Sequence, residues 1–186
     1  MIHSSTYFIT AAAVFFVLLT VVSLYSFSRV RRASHSSWES LVKRLVSVDR
    51  KTIEVIALDL MREQVQTETE TGHAGLDASR ILEMIGGLQG LEILKKNSEV
   101  LIDIAAHLEH WYPEALGVAE ELRLEARELE WHVDRLRGAA KTGNLEVSFP
   151  AYGQQAIATY YQMTRELLAF CAKTNPLMHA ALVTTL

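Results

Sequence analysis

Four side chains in one stretch have the types and spacing that metal chemistry uses. Glu99, Asp103, His107 and His110 follow one another at intervals of four, four and three residues, which places them along one face of a helix. Carboxylate and imidazole donors so arranged can hold zinc or iron, and Asp103, His107 and His110 are the set such a site would use. The apolar residues of the same stretch, Leu101, Ile104, Leu108 and Trp111, mark the opposite side, so the polar set is expected to face water or ion-pair partners. Di-iron bundles also need a pair of inward-facing Glu-x-x-His motifs, and the chain has no such pair. The sequence therefore assigns no metal ligand, no cofactor and no catalytic residue.

Other reactive groups are as sparse. Glu128 lies one turn before His132, with Asp134 beyond it; a neighbouring carboxylate favours the imidazolium, which suits a pH-responsive contact, but the pattern implies a surface histidine. Cys171 is the sole cysteine, so no intramolecular disulfide can form and a reducing compartment fits. No histidine is near it in sequence, and its helical spacing from Tyr160, Thr164 and Leu167 marks a packed, inert thiol. Tyr152, Tyr160 and Tyr161 read as core aromatics. Phosphate-loop, dinucleotide-binding, Cys-x-x-Cys, His-Glu-x-x-His and Gly-x-Ser-x-Gly signatures are missing, which argues against the common enzyme classes.

The seven residues Asp134–Ala140, DRLRGAA, resemble the His-x-Leu-Lys-Gly-x-Ala motif of histidine-phosphotransfer domains, which are also helical bundles. Asp134 stands where the phospho-accepting histidine would be. His132 lies about 200° away around a helix, so the resemblance implies a signalling bundle without phosphotransfer.

The elements that must position these groups begin with Tyr7–Phe27, 21 residues without a charge. As a helix this stretch would span about 32 Å, the thickness of a bilayer core. The expected plan is a tail at 1–6, a transmembrane anchor at 7–28, a basic joint at 29–36 and a helical bundle at 37–186 with a mobile loop at 66–76. Arg29, Arg31, Arg32, Lys43 and Arg44 follow the anchor, against Glu39 alone, whereas the remainder of the chain has 13 basic and 21 acidic residues. That asymmetry predicts an N-terminus outside, a cytoplasmic bundle and a basic collar at the membrane interface, in the inner membrane if the source is bacterial. The acidic body excludes nucleic acid as a partner.

Within the bundle, helices are expected over Ser37–Val46 and Arg50–Gln64, with Ser36 and Asp49 as caps. Another runs from Asp77 to Pro113, continuous or kinked through Gly86-Gly87. The heptad helix Glu114–Thr142 has its seam at Ala115, Ala119, Leu122, Ala126, Leu129, Val133, Leu136 and Ala140. A last long helix opens at Ser148 or Phe149, and a short tail restarts at Asn175-Pro176. The turn at Pro113 predicts an antiparallel hairpin with Lys96–Glu130, Glu99–Arg127 and Asp103–Arg123 as ion pairs.

The fold class read from this is all-α: a single transmembrane helix followed by a cytosolic antiparallel bundle of about four main helices. The function expected is an interaction or scaffold module at the cytoplasmic membrane face. It would touch lipid through residues 7–28 and another protein, or itself, through the bundle, with Leu124 and Trp131 as contact candidates off the seam. The alternatives are a self-associating structural membrane protein and, second, a metal-dependent enzyme with a carboxylate/His site on the bundle surface.

Overall fold

The computed structural model describes residues 14–21, 37–66 and 76–186. Residues 14–21 are helical and exposed and are labelled α1. The other helices are α2 (Trp38–Val42), α3 (Arg50–Gln66), α4 (Ala78–Met84), α5 (Gly87–Trp111), α6 (Ala115–Lys141), α7 (Leu145–Thr174) and α8 (Pro176–Thr185). The all-α expectation holds, but its membrane part does not. Among the described residues no helix is long and apolar enough to cross a membrane. The helices that are long enough carry charged faces, as α6 does with Glu120, Glu121, Arg127 and Glu128. The rest of the proposed anchor, and Arg29, Arg31 and Arg32 with it, lies outside the described residues, as does most of the loop expected at 66–76.

α7 is the hub of the bundle, packing against α3, α4, α5, α6 and α8, and the C-terminal half of α5 is enclosed beside it. From Ile104 to Leu108 every residue is buried, because α2 covers one side of α5 while α6 and α7 cover the others. Over that stretch α5 has no solvated face, although Lys96 and Glu99 before it and His110 after it are exposed, which overturns the expectation for His107 below. α6 packs its heptad seam, from Ala115 to Leu136, against α5 and α7, and the alanines let those helices approach closely. Its end is the predicted glycine stop: Gly143 has φ +73°. The Asn144 N–H donates to the Ala139 carbonyl and the Gly143 N–H to that of Ala140, the two hydrogen bonds of a Schellman cap.

Three boundaries differ from expectation, each for a local reason. The helix expected over Ser37–Val46 stops at Val42, because the backbone of Val46 pairs with the side chain of Asn97 instead of with the helix. The helix expected to run through Gly86-Gly87 breaks there: both glycines have positive φ, +81° and +68°, a region that only glycine enters freely. α7 starts at Leu145, ahead of Pro150, which sits in its second turn. The cap at Asp49 forms as predicted, and the helix expected to restart at Asn175-Pro176 does so with Asn175 as its cap. Asp49 accepts from the Lys51 and Thr52 amides and the Thr52 hydroxyl, and Asn175 accepts from the Met178 amide. Ser37 caps α2, while Ser36 lies outside the described residues.

Candidate functional site

The three candidate metal ligands are not brought together. Asp103 forms an ion pair with Arg44 at 2.9 Å, so the turn that follows α2 supplies the partner expected from α6. His107 is buried, its ring 6.4 Å from that of Trp38. Burial holds its pKa below the usual histidine value, with His110 adding to the effect, so the neutral imidazole is favoured. His110 packs edge-on to Trp111, which is 65% exposed although the sequence put it on the apolar stripe. Among the described residues no group of three His, Cys, Asp or Glu side chains is placed to hold a metal ion. Lys43 and Arg44 are exposed in the turn just after α2, and Arg44 pairs with Asp103 of α5.

The α5–α6 hairpin is antiparallel, but none of the three predicted ion pairs is made. Lys95, not Lys96, reaches Glu130 at 2.9 Å and Asp134 at 3.1 Å. Arg137 binds Glu92 and Asp134, and Arg123 lies 3.7 Å from Glu109. These contacts set a register a few residues deeper than the turn alone implied. Asp134, the residue at the histidine place of the phosphotransfer-like motif, is held in this network.

On the α7 side of α6, His132 is buried rather than superficial, with Nε2 3.6 Å from Glu128 and Nδ1 without a partner. Its ring lies against Trp131 and Tyr152. Cys171 is fully buried, and burial pushes its thiol up to about 11, so it is not a thiolate nucleophile at neutral pH.

An acidic cleft of 230 Å³, unnoticed in the sequence, opens between α3, α6 and α7, lined by Glu125, Glu128, Gln155, Thr159, Leu60 and Met61 among others. One oxygen of Glu125, and one of Glu166 on α7, is buried without a hydrogen-bond partner. Burial first, and the like charges of Glu166, Glu121 and Glu128 after it, together push the Glu125 carboxyl up to about 8. The folded state therefore keeps a proton that the unfolded chain releases near pH 4.5. Stability on this account is highest below that value and is lost as pH rises towards 8. Glu125→Gln is expected to flatten that fall in urea titrations across pH 5–8; an unchanged slope would show that Glu125 ionises freely. A second cleft, 210 Å³, lies between the α2–α3 connection and the α4–α5 joint. Both are smaller than the ~300 Å³ at which small-molecule sites begin.

The remaining feature is a surface. α6 exposes Leu124 (64%) and Trp131 (47%), seven residues apart and therefore within about 20° of each other around the helix. They stand opposite the buried seam. Trp131 is braced edge-on by Tyr152 of α7, centroids 5.4 Å apart, and Arg135 lies over its ring at 5.2 Å. The sequence brought this pair into view because both fall off the heptad seam; Tyr152 as the brace was not legible.

No protein-family model, curated protein or solved structure matches the chain.

Proposed function

We propose that the bundle is a protein-interaction module whose contact surface is the outer face of α6, centred on Leu124 and Trp131. The observation that carries this is the pair of large apolar side chains exposed in line on a helix whose other side is fully committed to the core. Single exposed apolar residues are ordinary. A tryptophan held in a fixed pose beside an exposed leucine, and ringed by charges, has the make-up of a binding hot spot. Trp111 is exposed too, but it is the last residue of α5. Among the described residues the two clefts are small and the metal-type residues dispersed, so nothing there favours the enzyme reading.

A photo-crosslinking amino acid at position 124, compared with one at position 96 on α5, tests this in the native host. Position 124 is expected to yield a discrete protein adduct and position 96 far less. Equal or absent adducts would remove the α6 face from consideration.

A further inference from the structure

We infer that His132 is a protonation-dependent support of Trp131: neutral, it holds the tryptophan in its contact pose, and charged, it lets the pose go. This rests on the contact face proposed above and names its regulation. Three rings close a triangle where α6 meets α7. Between centroids, Trp131 and His132 are 4.9 Å apart, Trp131 and Tyr152 5.4 Å, and His132 and Tyr152 5.9 Å. Trp131 is the half-exposed outer member, and His132 the inner one, with only 9% of its side chain exposed. The outer ring therefore leans on a ring that can change charge. Of the three side-chain types, only histidine does so between about pH 8 and 5.

The surroundings suit the neutral ring. Nε2 lies 3.6 Å from the Glu128 carboxylate, and Nδ1 is buried with no partner among the described residues. A neutral imidazole can keep its one proton on Nε2, towards Glu128, and leave Nδ1 bare. The imidazolium has a proton on both nitrogens, so Nδ1–H becomes a buried charged donor without an acceptor, a costly state. Glu128 attracts that charge from one side only, and it is itself 58% exposed. No other neighbouring group offers relief. α7 contributes the Tyr152 phenol, Arg135 lies over the Trp131 ring with its own positive charge, and Glu125 is about two turns away along α6. α3 reaches the cleft beside Glu128 with the uncharged Leu60 and Met61. Towards α5, Lys95 and Arg137 are taken up by Glu92, Glu130 and Asp134. The charged ring therefore turns outward to Glu128 and water, and Trp131 and Tyr152 lose the edge they pack on.

Fluorine NMR of the full chain labelled with 5-fluorotryptophan tests the inference, since its three tryptophans give three resonances to assign. Between about pH 8 and 5 the Trp131 resonance is expected to move through one transition. Glu128→Gln should carry that transition to lower pH, because it removes the one group that favours the imidazolium; Glu128 is exposed, so the fold is kept. His132→Gln should abolish the transition. A Trp131 resonance that stays still would overturn the inference. So would a transition that His132→Gln leaves in place, or one that Glu128→Gln fails to move. In the native extract the adduct from position 124 should fall several-fold from neutral pH to about pH 5.5, and His132→Gln should hold it constant. An adduct equally strong at both pH values leaves the contact face standing and removes the support. If position 124 gives no adduct at either pH, the contact face falls, and the Trp131 transition alone decides the role of His132.

Discussion

Replacing Asn97 by leucine should cost about 3 kcal/mol of folding stability, an unusually large loss for a single polar side chain. Asn97 is fully buried. Its Oδ1 accepts from the Val46 amide at 2.9 Å, and its Nδ2 donates to the Val46 carbonyl at 2.7 Å and to the Tyr160 hydroxyl at 3.2 Å. One amide thus satisfies both backbone groups of a residue outside any helix and ties α5 to α7. Leucine matches asparagine in size but leaves all three partners unpaired, and each buried orphan costs about 1–3 kcal/mol. Tyr160→Phe removes only one acceptor and should cost about 1 kcal/mol. Burial pushes the Tyr160 phenol up to about 12, with the Asn97 hydrogen bond acting the other way, so the phenol stays neutral through the physiological range. Urea unfolding of the two variants checks this; an Asn97→Leu loss no larger than that of Tyr160→Phe would show that the Val46 pairing is dispensable.

Gly90→Ala should destabilise the protein by about 3 kcal/mol, whereas Gly138→Ala should stabilise the single chain by up to about 1 kcal/mol. Helix propensity favours alanine equally at both. The difference is what the methyl group meets. At Gly90 it would fall 1.7 Å from the backbone oxygen of Ile85, where the chain turns from α4 into α5, and a backbone oxygen cannot rotate away as a side chain can. At Gly138 it meets open space. Relief at position 90 would require α4 to lift from α7, so exchange of the α4 amides should accelerate in the same variant. Thermal midpoints of the two variants decide: equal shifts of the same sign would contradict the packing at the α4–α5 joint.

What could be read beforehand followed the physics of each feature. The α6 seam, its glycine stop, the Asp49 cap and the helical restart at Asn175-Pro176 were legible because a few neighbouring residues determine them. The hairpin direction was legible from Pro113, but its ion pairs were not, since a register a few residues deeper changes every partner, with Lys95 taking the place expected of Lys96. The face of α5 bearing Asp103 and His107 was misjudged because its cover, α2, is separated from it by some sixty residues. A warning was present, as Val100–Leu108 contains a single charged residue, too few for a solvated side. The glycine break fooled the pattern because the apolar spacing continues across it. Asn97 gave no signal at all: an asparagine between lysine and serine looks like surface until its partners are known. The acidic cleft was equally hidden, because Glu125 and Glu166 meet only once α6 and α7 pack.

The central claim is that the outer face of α6 is covered by protein when the chain is at work. Hydroxyl-radical footprinting compares Trp131 with Trp111 directly, since both are exposed in the isolated chain. The protein in its native extract is expected to show Trp131 protected relative to a dilute purified sample, with Trp111 oxidised equally in both. Equal oxidation of Trp131 in the two samples would contradict the claim.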